Sequence, residues 1–169
     1  MSDIIRTDRL VLRPPARRDA DAIVALAGDW DVARMTGRIP HPYTRADAEH
    51  FLGLDIGARM AEFQGQVVGC FGAEAKANGA VELGYWIGKP FWGRGFATEG
   101  ARGLIRHLRA QDPNSRITVS HMADNPASRR VIEKLGFQPA GESAIWSVAR
   151  GCTVRVLCYE LPGAVPESD

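Results

Sequence analysis

The stretch Trp86-Ile87-Gly88-Lys89-Pro90-Phe91-Trp92-Gly93-Arg94-Gly95-Phe96-Ala97-Thr98-Glu99 has the composition of a ligand-binding turn. A strand-like run leads through glycines into a helix start. Gly93 and Gly95 let the backbone approach a ligand closely. The first amides of the following helix have no partner within it, and such amides bind phosphate without a lysine, by hydrogen bonding and through the helix dipole. Two phosphate motifs are excluded. The chain contains no G-x-x-x-x-G-K-[ST] string, and Thr98 replaces the third glycine of a dinucleotide fingerprint in Gly93-Arg94-Gly95-Phe96-Ala97-Thr98. No acidic residue ends the next strand either, where Val119-Ser120-His121 stands. A glycine turn that only reverses the chain is the bland alternative.

A second segment, Asn125-Pro126-Ala127-Ser128-Arg129-Arg130-Val131-Ile132-Glu133-Lys134-Leu135-Gly136-Phe137, opens with an N-cap and a first-turn proline and stops at glycine. It reads as a short helix followed by a strand. His41, His50, His107 and His121 are scattered without metal-ligand spacing, so no metal site is expected. His107 falls on an outward helix face. No serine lies in a G-x-S-x-G elbow.

These segments need a frame. Residues 9–13 read as a short strand stopped by Pro14-Pro15, 17–27 as a helix ended by Gly28, and 32–35 as a short helix. Thr44, with Asp47 three residues on, caps a helix that buries Ala48, Phe51 and Leu52. Residues 60–63 and 67–73 suggest a hairpin around Gly65-Gln66, and Asn78-Gly79 a turn before a strand at 80–87. A helix from Thr98 to about Gln111 would bury Ala101, Leu104, Ile105 and Leu108. Strands follow at 116–121, from Phe137 onward, and at 153–161, with 162–169 a frayed tail. No repeat or linker interrupts the chain, so residues 1–169 read as one mixed α/β domain.

Composition narrows the function classes. The 169 residues are 45% hydrophobic and 24% charged, which excludes a disordered chain. A net charge of +1 gives no global pull toward nucleic acid or anionic lipid. That neutrality hides a division: residues 89–130 hold eight basic side chains against three acidic ones, leaving 13 against 17 elsewhere. The basic share falls on the proposed phosphate-binding segment, and the acidic share would suit a cationic substrate. Cys70, Cys152 and Cys158 are odd in number and fit no C-x-x-C pattern, so they read as free buried thiols of a reducing compartment. Neither a signal peptide nor a membrane helix is visible. The expected setting is cytoplasmic.

Taken in order, Glu82-Leu83-Gly84-Tyr85-Trp86-Ile87, the Trp92–Glu99 loop and the N-x-x-S…K-L-G-F helix resemble the GNAT superfamily of acyl-CoA-dependent N-acyltransferases, most closely its RimJ/RimL-like branch. The opening Thr7-Asp8-Arg9-Leu10-Val11-Leu12-Arg13-Pro14 and the closing Tyr159-Glu160-Leu161 match that branch too. The resemblance implies a central, mixed, mostly antiparallel twisted sheet flanked by helices and splayed between the strands at about 80–87 and 116–121. It implies acetyl-CoA as co-substrate, no metal, and an amine acceptor that is a protein N-terminus or a small molecule. Dimers are common in the family, so a homodimer stays open.

The family's loop reads Q/R-x-x-G-x-G/A. Gly95 and Ala97 match its small positions, whereas Trp92 stands where Gln or Arg is usual. A site built from main-chain amides tolerates that departure, so Trp92, Gly93, Arg94, Gly95, Phe96, Ala97 and Thr98 are the expected pyrophosphate cradle. The main chain at Trp86 and Ile87 is expected to pair with pantetheine as an added strand would. By the same resemblance Asn125 borders the pantetheine arm, though a plain N-cap explains it equally. Ser128 would protonate the leaving thiolate, and Glu82 would act as base through water; a tolerated first-turn serine and an ordinary strand-face charge are the alternatives. Tyr85 is a weaker candidate for binding or proton transfer. A main-chain amide near Ile87 is the expected oxyanion donor. His121 ends a strand near the cofactor. Trp30 and Met35 either border the acceptor pocket or pack in the core. Two rival readings remain: a non-catalytic CoA-binding or regulatory domain of this fold, and a nucleotide-binding α/β oxidoreductase, against which the missing glycine argues.

Overall fold

Turn and cap chemistry set most of the element boundaries. The computed structural model describes residues 4–163, so the expected frayed tail lies outside the described residues from 164 on. Strands β1 (Ile5–Arg6) and β2 (Val11–Arg13) pair first, and a 3-10 turn over Arg17–Asp19 leads into α1 (Ala20–Ala27). The Asp29 carboxylate accepts the Asp31 amide and starts α2 (Trp30–Ala33) two residues before the expected position. Thr44 and Asp47 cap α3 (Arg45–Leu52) reciprocally, as the spacing implies. Next come β3 (Arg59–Phe63), β4 (Gln66–Ala75) and β5 (Val81–Ile87), then α4 (Phe96–Gln111) and β6 (Ile117–Met122). Helix α5 (Pro126–Lys134) and strands β7 (Gln138–Ser147) and β8 (Cys152–Leu161) complete the fold.

The eight strands form one mixed sheet in the order β1-β2-β3-β4-β5-β6-β8-β7, flanked by helices. All neighbours are antiparallel except β5 and β6, which run parallel. Alternation along each strand supplies two cores. On one face Phe71, Leu83 and Ile87 pack with Phe96, Ala101 and Leu104 of α4 and Ile132 of α5. On the other, Met60 and Cys70 pack with Ile23, Ala27 and Ala48 of α1 and α3. Helix α4 can lie this close only because position 100 is glycine: a Cβ there would stand 2.2 Å from the Phe71 ring.

The centre of the sheet is only partly paired. Strands β5 and β6 pair only over Val81–Leu83 and Ile117–Val119. Beyond that point β5 stays bonded to β4 as far as Ile87, and β6 to β8 as far as Met122. The two central strands therefore diverge toward their C-terminal ends.

Two expectations need correction. Helix α4 begins at Phe96 rather than Thr98, because Gly95 adopts a left-handed conformation and is itself the N-cap. The cysteines are not all buried: Cys70 is, Cys158 is half-buried, and Cys152 is exposed at the start of β8.

Candidate active site

The divergence leaves one edge of β5 without a partner strand. The Val81 amide donates across to the Arg116 carbonyl at 2.7 Å, while the Gly88 amide donates the other way, to Val68 on the β4 side, at 2.8 Å. Alternation between these two points turns the main-chain groups of Tyr85 and Ile87 toward the gap and those of Trp86 toward β4. The Trp86 carbonyl agrees, lying 2.3 Å from where a Gly69 Cβ would stand. Of the two strand residues singled out in the sequence, Ile87 thus has its main chain on the open edge and Trp86 does not, while Tyr85 joins Ile87 there.

The open edge runs into the glycine loop. The indole Nε1 of Trp92 donates to the Ile87 carbonyl at 2.7 Å, tying loop to strand. Gly93 and Gly95 have φ of +73° and +78°, conformations that favour glycine. Gly95 brings no side-chain cap to α4, and the amides of Gly93 through Thr98 donate no hydrogen bond among the described residues. Six unbonded donors at the positive end of a helix have the chemistry that an anion site requires. Arg94 is exposed, with its guanidinium carbon 4.8 Å from the Phe63 and Phe96 ring centroids and no carboxylate partner among the described residues. Lys89 is spent elsewhere: its Nζ lies 2.7 Å from Asp31, whose carboxyl that hydrogen bond, with Arg34, holds below the usual range.

Across the gap from β5 lies the start of α5. Asn125 is its N-cap, with Oδ1 accepting the Ser128 amide at 3.1 Å. The Ser128 hydroxyl is 2.8 Å from the Tyr85 phenol oxygen, so these two hydroxyls bridge β5 and α5 where the strands have parted. Burial raises the Tyr85 phenol above its ordinary value and the Ser128 bond offsets part of that. The Tyr85 ring stacks on Phe71 at 5.8 Å, which in turn rests on Gly100. Sequence reading noticed Tyr85 and Ser128 separately; nothing in their spacing joins them.

Glu82 faces the opposite side of the sheet from Tyr85. Its Oε2 is 2.6 Å from Lys76 Nζ, and Ser120 Oγ donates to Oε1 at 3.4 Å. The ion pair with Glu82 raises Lys76 above its ordinary value, against a smaller opposing effect of burial. Lys76 and Ser120 were not singled out in the sequence, where no motif contains them.

The remaining candidates take bland roles or stand apart. His121 is buried; its Nδ1 lies 2.8 Å from the Met122 carbonyl and its Nε2 3.2 Å from the Tyr159 hydroxyl. Because a carbonyl only accepts, Nδ1 carries the proton and both ring nitrogens are used. Trp30 is 44% exposed, edge-on to His41, and Met35 accepts from Arg150, so neither is a fully buried core residue. Burial pushes the Cys70 thiol up to about 12, which makes it a poor nucleophile. Among the described residues no group of three or more His, Cys, Asp or Glu is placed to hold a metal, and no helix is long and apolar enough to cross a membrane. A surface cavity of about 530 Å³ beside α1 and the Gly65 turn is lined by none of Glu82, Asn125 and Ser128.

The chain resembles known proteins in sequence and in fold. Residues 9–138 match the family described as Acetyltransferase (GNAT) domain. The chain is 30% identical over 153 residues to the protein named uncharacterized N-acetyltransferase YoaA of Bacillus subtilis (strain 168), covering 83% of this chain and 86% of that one. It is also 30% identical over 60 residues to the ribosomal-protein-serine acetyltransferase of Escherichia coli (strain K12), 36% of this chain and 34% of that one. The solved structure of RimL, a ribosomal L7/L12 alpha-N-protein acetyltransferase in complex with coenzyme A, superposes with a TM-score of 0.79 at 20% identity, covering 93% of this chain and 96% of that one. With its parted central strands, its glycine loop and a family match over most of its length, this chain belongs to the GNAT acetyltransferases, alongside RimL-like relatives.

Proposed function

We propose that the protein transfers an acetyl group from acetyl-CoA directly to a primary amine, a protein N-terminus or a small molecule, without a covalent enzyme intermediate. One observation carries the reading: the edge of β5 left open beyond Leu83 leads straight into six amides that have no partner among the described residues. The edge offers the Tyr85 main chain and the Ile87 amide to the amides of a pantetheine arm, and the loop offers Gly93 to Thr98 to a pyrophosphate. The Ile87 carbonyl is taken by Trp92 and is not available.

The chemistry divides between the faces of the sheet. The amine loses a proton and attacks the thioester carbon; an N–C bond forms, the C–S bond breaks, and the thiolate takes a proton. Glu82, on the face of α1 and α3, is the base acting through water, and Lys76 competes with a cationic amine for its oxygens. Ser128, on the other face, delivers the proton to sulfur, with Asn125 fixing the turn that carries it. An amide near Ile87 stabilises the oxyanion. The name of the Escherichia coli relative, a ribosomal-protein-serine acetyltransferase, favours a protein acceptor over a small molecule. A cytoplasmic setting fits the unpaired cysteines.

The test is thiol release from acetyl-CoA across a panel of peptide and small-molecule amines. Release that depends on an amine is expected. Coenzyme A binding with no turnover on any acceptor would instead make the chain a binding domain, and a thermal shift with NAD(H) but none with CoA would overturn the cofactor.

A further inference from the structure

Glu99 stands in the first turn of α4, immediately after the free amides. The helix dipole favours a carboxylate there, but that carboxylate competes with any other anion for the same helix end. Its oxygens are engaged from far away in the chain. Thr7 donates its hydroxyl to Oε1 at 2.6 Å, the Arg9 amide donates to the same oxygen at 2.7 Å, and Arg9 Nε donates to Oε2 at 2.7 Å. Burial works against ionisation, yet these donors and the Arg9 charge keep the carboxyl below its ordinary value.

Arg9 reaches further than Glu99. Its Nη2 donates to the Arg94 carbonyl, inside the glycine loop, at 2.9 Å. The same nitrogen lies 3.4 Å from where a Gly95 Cβ would stand, and the guanidinium carbon is 4.7 Å from the Phe96 ring centroid. The planar fork therefore spans Glu99 on one side and the loop main chain on the other, a geometry that an ammonium cannot reproduce.

We infer that Arg9 is a positioning residue for the phosphate cradle: it fixes the Arg94 carbonyl, so that Gly95 keeps its left-handed turn and the following amides point outward, and it cancels the Glu99 charge that would repel a diphosphate. The inference rests on the reading of the loop as the CoA site. Arg9 touches the loop from a segment that the glycine motif does not include. Thr7 assists by occupying the second lone pair of Glu99 Oε1.

The test is calorimetry of CoA binding to the full chain, wild type against Arg9→Met, Glu99→Gln and the double variant, with acetyl-CoA kinetics alongside. Arg9→Met is expected to weaken CoA by about tenfold or more, the scale of one charge-assisted contact. Adding Glu99→Gln should recover about threefold or more of that loss, because no charge remains to be cancelled. KM for acetyl-CoA should follow the binding constant while kcat at saturation holds to within about twofold. A purely structural tie predicts no such rescue, since removing its second end cannot restore the first. Binding by Arg9→Met within about twofold of wild type, or a double variant no tighter than Arg9→Met, overturns the inference. Should Arg9→Met fail to fold, Arg9→Lys keeps the charge and loses the fork; about threefold weaker CoA binding is then expected, and unchanged binding overturns it. A wild-type chain that binds no CoA overturns the functional reading instead.

Discussion

Two arginines of the N-terminal segment, four residues apart, hold different kinds of structure. Arg13 forks onto both oxygens of Asp19 at 2.9 and 2.8 Å and donates Nε to Glu62 at 2.7 Å. Asp19 also accepts the Ala16 amide at 2.7 Å and is 2% exposed. Arg9 grips Glu99 just as closely, but the pair sits beside six amides that have no partner among the described residues. Around Arg13 the polar groups are closed on one another, and the contribution is to stability. Around Arg9 the donors next to it remain open, and an open cluster of donors is the form of a site. A ligand fits where hydrogen-bonding capacity is left over beside capacity that is spent.

The comparison breaks most readily at its closed end. Asp19→Ala takes the forked contact from Arg13, leaving Glu62 as its carboxylate partner among the described residues, and is expected to cost roughly 3 kcal/mol in denaturant unfolding, while CoA binding by the folded fraction stays within about twofold. A variant that lost affinity in proportion to stability would show that the two regions are not separable. At the open end, Gly95→Val forces a β-branched residue to a φ of +78° and fills the approach to the amides. CoA affinity should fall by about a hundredfold or more, near 2.7 kcal/mol, with cooperative unfolding retained. Undiminished affinity would displace the cofactor from this loop.

Glu82→Gln probes the other face of the sheet. Turnover should drop by at least about tenfold near neutral pH, with CoA affinity nearly kept, and recover as pH rises and the amine loses its proton unaided. A pH–rate profile that overlays the wild type removes Glu82 as base. The smallest effect is on acid stability. Burial raises the Asp19 carboxyl, but Arg13 and the Ala16 amide outweigh it and hold the group below its ordinary 3.8; Glu99 is likewise held below 4.5. A depressed carboxyl stabilises the fold above its unfolded value, and that share is lost as pH falls through the folded one. Unfolding free energy should therefore be flat in these terms at neutral pH and decline below about pH 4, more shallowly in Glu99→Gln than in wild type.

Much of this was legible in the residues. The Thr44 capping box, the Asn125 cap with Pro126, and the path from strand through glycines into a helix are local signals, and local chemistry set them. The helix starts two residues before Thr98, because a left-handed glycine, Gly95, is its N-cap. What stayed hidden is what folding brings together: Tyr85 with Ser128, Arg9 with Glu99, Lys76 and Ser120 with Glu82. No spacing rule reports a contact across two elements. Counting charge fared similarly. Of the basic residues at 89–130, Lys89, Arg116 and Arg129 are paired with Asp31, Glu160 and Glu133, so the local surplus is smaller in space toward a ligand than in sequence, and Arg94 is the loop cation left without a carboxylate among the described residues.

Amide chemical shifts in the presence of CoA report whether the loop amides hold the cofactor phosphates beside the open β5 edge. Titrating CoA into the labelled chain should move the amides of Gly93 to Thr98 most, with Tyr85 and Ile87 next, and leave Asp19 and its neighbours unmoved. CoA binding that leaves those loop amides in place, with shifts gathered instead around the cavity beside α1, would place the cofactor elsewhere.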